Sequence, residues 1–240
     1  MRNKLSISIL IFIIIACFFP YRLAARKVSH QHFIDFIVQQ ANIANADINK
    51  QRQKLLQLYT QFKENKPLTN SDQLWLKKLA TQYKAKKTNF KQQQTWTMLL
   101  KRADIIPISL TVAQAINESA WGNSRFAQEG NNYFGQWCYV KGCGLVPKQR
   151  EPGKTFEVKR FDNPLSSVKS YMLNLNSAHL YQKFRNKRWQ LRQAHQSITG
   201  LHLVSALTMY STKREVYVKI ITKIIKDFDL SRYDQQKNDL

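Results

Sequence analysis

The chain has 240 residues, 43% of them hydrophobic and 12% aromatic, which is enough to bury a core of ordinary domain size and too apolar for a disordered polymer. Against 38 Lys and Arg stand only 15 Asp and Glu, a net charge of +23. That excess predicts a polyanionic partner (nucleic acid, an anionic membrane surface or an anionic cell-wall polymer) and leaves few carboxylates for catalysis.

Arg2 and Lys4 precede an apolar run from Leu5 to Ala16, the basic and hydrophobic regions of an export signal. Even extended to Phe19, the run is shorter than the roughly 20 residues of a transmembrane helix. Three outcomes stay open: lipidation at Cys17 in Ile14-Ile15-Ala16-Cys17, ordinary cleavage near Leu23-Ala24-Ala25, or retention as an anchor. Residues 1–25 are thus an export signal or a membrane attachment. Export turns the charge away from chromosomal DNA, and neither zinc-finger spacing nor an aromatic RNA-binding signature occurs, so no nucleic-acid partner is expected.

Residues 26–95 read as a helical extension. Apolar residues recur at helical intervals through Phe33, Phe36, Leu55, Leu58 and Phe62, and Glu64-Asn65-Lys66-Pro67 breaks the pattern. Thr69 to Asp72 supplies cap residues for a helix carrying Leu76, Leu79 and Tyr83. The lysines crowding residues 77–91 form either a solvated face or a surface for the cell wall or membrane. A soft boundary falls between Lys86 and Gln94.

The next stretch concentrates the chemistry. Ser109 can cap a helix from about Leu110 to Ala120, with Val112, Ile116 and Ala120 on one face. Glu118 projects roughly opposite, near Gln114 and Thr111. It faces either water or a second lobe across a cleft. Trp121-Gly122 ends the helix with an indole beside the carboxylate, and a carboxyl buried against a ring has the raised pKa that a general acid needs. An aromatic turn follows, Asn131-Asn132-Tyr133-Phe134-Gly135-Gln136-Trp137.

Cys138 and Cys143, separated by a short run containing Gly142, are expected to pair in an oxidising compartment. Metal binding lacks a second pair of ligands, and the five histidines form no cluster, so neither metal nor cofactor is expected. Residues 153–161 alternate as a strand, with Phe156 and Val158 on one side and Thr155, Glu157 and Lys159 on the other. Glu157 on that polar face is a candidate second carboxylate or the cross-strand partner of a lysine. Asn163 and Pro164 start a helix buried through Leu165, Val168, Met172 and Leu175. A last helix buries Tyr217, Ile220, Ile221, Ile224 and Phe228, and residues 230–240 form a frayed tail.

Taken as an ordered series, Ala113-Gln114-Ala115, Glu118-Ser119-Ala120-Trp121-Gly122-Asn123-Ser124, Asn131 to Gly135, Thr155-Phe156-Glu157, Tyr171 to Asn176 and Tyr181 to Arg185 resemble bacterial glucosaminidase domains, glycoside hydrolase family 73. Gln136-Trp137-Cys138 and Gly142 to Pro147 place the resemblance near the Bax-type branch. It covers about residues 96–229. It implies an α+β, mainly α, lysozyme-like domain with an α-lobe and a small β-lobe, cutting β-1,4 bonds after N-acetylglucosamine in peptidoglycan glycan strands.

By the same resemblance Glu118 is the general acid, Glu157 the second carboxylate, and Tyr210 the tyrosine that helps place the N-acetyl group. Gln114, Trp121, Asn132, Tyr133, Phe134 and Tyr217 are the expected substrate contacts. Lys213-Arg214-Glu215-Val216 departs from the family's usual Asp-Pro before Tyr217. Glu157 activates a water for inversion, or the substrate's own acetamido group attacks. Two rival activities remain: a lytic transglycosylase, and a non-catalytic peptidoglycan-binding scaffold.

Overall fold

Thr69 begins the first well-defined cap of the molecule. In the computed structural model, which describes residues 4–86 and 88–235 and gives only the backbone of residues 4–29 and 235, the Thr69 side chain accepts from the Asp72 N–H at the start of α2 (Asn70–Gln82). The preceding α1 (Lys4–Lys63) stops just before Glu64-Asn65-Lys66-Pro67, where the chain was expected to break. Cys17 and the expected cleavage sites lie outside the residues whose side chains are described. Among the described residues, no helix is long and apolar enough to cross a membrane.

The chain divides into two compact units after Phe36. Of the first, the structure gives a helix in which Phe33 and Phe36 pair their rings. The second unit, from Ile37, holds everything else. Its remaining helices are α3 (Gln93–Arg102), α4 (Ile108–Ser119), α5 (Arg125–Gly130), α6 (Pro164–Ser177), α7 (Gln182–Gln193), α8 (Gly200–Leu203) and α9 (Glu215–Asp227). Asn163 caps α6 through Ser166 N–H, and Pro164 takes the first turn. The single three-stranded antiparallel sheet of the described residues has the order β1 (Trp137–Cys138), β3 (Glu157–Lys159), β2 (Gly144–Leu145). This is the expected mainly α architecture with a small β-lobe. The strand foreseen over 153–161 shrinks to 157–159, because its two partners offer only two residues each.

One hydrophobic core runs across residues 86–94. Leu55 and Leu58 from α1 and Leu76, Leu79 and Tyr83 from α2 pack with Trp96, Leu99, Leu100 and Ala103. Trp96 is fully buried, stacks on Phe62 at 5.3 Å and meets Phe90 edge-on. Its indole N–H donates to the Phe90 carbonyl at 3.0 Å. The helices expected as an extension therefore share their core with the first helix of the glucosaminidase-like region.

Arginines brace the same junction. Arg52 of α1 and Arg188 and Arg192 of α7 converge on Asp104, which is 1% exposed in the link between α3 and α4. Arg192 Nη2 reaches Asp104 Oδ1 at 2.7 Å, while Arg52 donates to the carbonyls of Leu100 and Ala103, and Arg188 to those of Lys101, Asp104 and Ile105. Arg102 and Arg185 likewise donate to carbonyls, of Tyr83 and Ser177 and of Leu175 and Ala178. Burial alone would raise the Asp104 pKa, but the guanidiniums of Arg188, Arg52 and Arg192 outweigh it and hold it below the usual aspartate value. Asp104→Asn strands three guanidiniums and is expected to cost roughly 3–5 kcal/mol in urea unfolding at neutral pH. A folded-state pKa below the unfolded value of about 3.9 means that this stabilisation is present at higher pH and is lost as pH falls through the folded value. An unchanged urea midpoint for the variant would count against the brace.

Two expectations about termini change. Ser109 does not cap α4; it lies inside the first turn, where its N–H and hydroxyl both donate to Asp234. Asp234, placed by sequence in a frayed tail, also accepts from Gly200 N–H at 2.9 Å and is buried, and residues 230–235 form a 3-10 turn against α4.

Candidate active site

Glu118 stands in the last turn of α4, a helix buried on every side from Ile108 to Ile116. Its carboxylate reaches the surface because the helix emerges at its C-terminal end, not because it has a polar face. Ser119 stops the helix there: its hydroxyl donates to the Ala115 carbonyl and accepts from Gly122 N–H. Ala120, Trp121 and Gly122 then all take positive φ, which turns the chain away directly after the carboxylate.

Three groups act on that carboxylate. Asn117 Nδ2 donates to Glu118 Oε1 at 3.0 Å, the Tyr217 hydroxyl donates to the carboxylate, and the Lys213 ammonium adds positive charge. Each favours ionisation, yet desolvation is larger and raises the Glu118 pKa above the ordinary glutamate value. The negative end of the α4 dipole acts in the same direction. No second carboxylate is among the groups that shift it.

Behind Glu118 is a cage of phenols. Gln114 Nε2 donates to the Tyr217 hydroxyl at 2.7 Å, and the Tyr171 hydroxyl donates to Gln114 Oε1 at 2.6 Å. Tyr210 stacks on Tyr217 at 5.3 Å, Phe134 stacks on Tyr171 at 4.0 Å, and Tyr181 leans on Tyr210 at 6.0 Å. The Tyr210 hydroxyl donates to the Phe134 carbonyl at 3.4 Å. Burial pushes Tyr181 up to about 12 and raises Tyr171, Tyr210 and Tyr217 well above the ordinary tyrosine value, so all four stay neutral donors at ordinary pH. Gly135, with φ +63°, passes so near that a methyl group on it would stand 3.9 Å from Glu118 Oε2.

Four of the expected substrate contacts lie deeper than a sugar-facing surface. Gln114, Asn132, Phe134 and Tyr217 are all buried and support the site from behind. Asn132 ties the aromatic turn to the sheet, donating to the carbonyls of Gln136 and Lys159 and accepting from Phe134 and Gln136 N–H. Trp121 is partly exposed and packs edge-on against Phe228 at 4.8 Å, and Tyr133 is partly exposed. Sequence reasoning did not single out Tyr171, Tyr181, Asn117 or Gly135. All but Asn117 carried a signal, as members of the ordered motif series.

Glu157 is also placed differently from the expectation. It does not stand on an open polar face: the loop from Cys138 to Cys143 folds over it, leaving it 5% exposed beneath a thin cover. Its Oε1 accepts from Gly142 N–H at 2.9 Å and its Oε2 from Gly144 N–H at 2.7 Å. Those two bonds, Gly142 first, hold its pKa below the usual glutamate value. Cys138 and Cys143 form the expected disulfide. Their sulfurs and the Glu157 carboxylate lie within 4.8 Å of one another, but sulfurs joined to each other are not thiolate ligands for a metal.

The sequence model of the Glucosaminidase family, described as mannosyl-glycoprotein endo-beta-N-acetylglucosaminidase, matches residues 93–230. The chain belongs to this family. Protein bax of Escherichia coli (strain K12) is 36% identical over 152 residues, 63% of this chain and 54% of the relative. Exo-glucosaminidase LytG of Bacillus subtilis (strain 168) is 27% identical over 144 residues, 58% of this chain and 49% of the relative. The chain therefore spans about half the length of the curated relatives it matches, and no solved structure matches it. The glucosaminidase match begins at Gln93, the first residue of α3, and ends at Leu230, so it takes in Glu118, Glu157 and the whole tyrosine cage.

Proposed function

We propose that the protein is a cell-envelope peptidoglycan hydrolase that cleaves β-1,4 bonds after N-acetylglucosamine, with Glu118 as general acid. The observation that carries this reading is a carboxyl group kept protonatable by burial at the mouth of a tyrosine cage, in a chain of the glucosaminidase family. Both oxygens of Glu157 are already held by backbone N–H groups, which favours the substrate-assisted route. The acetamido oxygen then bonds to the anomeric carbon as the glycosidic oxygen leaves with the Glu118 proton, and water opens the resulting ring. In this reading Glu157 shapes the β-lobe, and Tyr210 and Tyr217 orient the sugar and the acid.

The charge of +23 would hold an exported enzyme near the carboxylates of peptidoglycan stems, an attraction that weakens as salt rises. Export itself rests on the apolar run after Lys4, and membrane attachment through Cys17 on its lipobox-like context. A single free carboxylate would equally serve a lytic transglycosylase. A digest of purified glycan strands separates the readings. Reducing N-acetylglucosamine ends are expected; anhydro ends would replace the hydrolase by a transglycosylase, and intact strands would leave a binding scaffold.

A further inference from the structure

The tip of the β-lobe exposes apolar side chains that a solitary domain would hide. Trp137 is 56% exposed, Tyr139 71%, Val140 74% and Val146 47%. Such a patch on a small lobe marks a contact surface. Trp137 is also held flat: its ring stacks on Phe156 at 4.4 Å with an interplanar angle of 15°. The backbone under it is fixed, since Trp137 pairs with Val158, Cys138 closes the disulfide, and Glu157 clamps the returning loop through Gly142 and Gly144. A rigid, exposed indole backed by a second ring is suited to receive the flat C–H face of a pyranose.

Its position names the occupant. A methyl group on Gly135 would meet Glu118 Oε2 at 3.9 Å, and two residues of chain span at most about 7 Å. Trp137 is therefore within reach of the sugars flanking the bond that Glu118 would cleave. A second copy of the chain is a poorer fit, because a patch of four side chains falls short of the roughly 800 Å² per partner of a stable dimer.

We propose that Trp137, backed by Phe156 and held by the Glu157 clamp and the disulfide, is a stacking platform for an N-acetylhexosamine unit of the glycan strand, next to Glu118. The platform rests on the hydrolase reading for its ligand class. The test measures binding of stem-free glycan strands to the full chain carrying Glu118→Gln, with and without Trp137→Ala or Trp137→Phe. Trp137→Ala is expected to weaken binding roughly two- to ten-fold and Trp137→Phe to retain most of it.

Cleavage by the unsubstituted chain is recorded in parallel. If the unsubstituted chain cleaves and the chain with Trp137→Ala binds as well as its Glu118→Gln parent, the platform is overturned and the hydrolase stands. If Trp137→Ala weakens binding but the unsubstituted chain does not cleave, the hydrolase reading fails and the platform stands. A chain that neither binds nor cleaves overturns both. Trp137→Ala that dissociates a dimer while leaving glycan binding intact assigns the patch to a second copy and also overturns the platform.

Discussion

Glu118→Gln is expected to lower glycan-strand cleavage by about 10²–10⁴-fold, the usual contribution of a positioned general acid, while leaving strand binding in place. The amide preserves the shape and can still meet Asn117 and Tyr217, but it has no proton to give to a leaving oxygen. The pH profile follows from the same carboxyl. A general acid works while protonated, so activity is present below its pKa and falls as pH rises through it. Because desolvation raises that pKa, the falling limb lies above the ordinary glutamate value of about 4.3. Stability moves the other way: a carboxylate whose folded pKa is raised costs stability once it ionises. The Gln variant should then be at least as stable as the parent at neutral pH. Wild-type cleavage by the variant, or a pH limb at the unperturbed glutamate value, would remove Glu118 from the acid's role.

A chain beginning at Gln93, where the family match starts, is expected not to fold. It would lose Leu55, Leu58, Leu76, Leu79 and Tyr83, the side chains that cover Trp96, Leu99 and Leu100. At roughly 1.5–3 kcal/mol for each large apolar side chain, the loss is about 8–15 kcal/mol, as large as the whole stability of an ordinary domain. Even discounted for a compact unfolded state, that loss leaves little. Arg52 would go as well, and with it one of the three guanidiniums on Asp104. Far-UV circular dichroism and urea titration read the result. A cooperative transition at the parent's midpoint would show that α1 and α2 only lean on a self-sufficient domain.

Legibility in the sequence followed the range of the forces involved. Local signals were readable: the break at Glu64 to Pro67, the Thr69 and Asn163 caps, Pro164 in the first turn of α6, and the Cys138–Cys143 pair five residues apart. Long-range contacts were not. Ser109 looked like a cap because its partner, Asp234, lies 125 residues away. Glu157 sat on the polar side of an alternating strand, but alternation assumes that only one side is covered. Here a disulfide-closed loop covers the other side too. Helical phase put Glu118 away from an apolar stripe, although α4 has no solvent face before its last turn. That Glu118 turns out of its own helix's core was thus foreseen for a reason the structure replaces.

The inward arginines give the positive charge two separate duties. Arg52, Arg185 and Arg188 are buried, whereas no lysine among the described residues is. A guanidinium can serve several carbonyls at once and stays protonated even where burial pulls it down to about 10, as it does for Arg185 and Arg188. These buried arginines are therefore rivets between helices, and the lysines, with exposed arginines such as Arg160 and Arg214, form the coat that a polyanion would feel. Swapping Arg for Lys along α7 would leave the net charge untouched and unfasten the molecule, while swapping surface Lys for Gln would leave the fold and thin the coat.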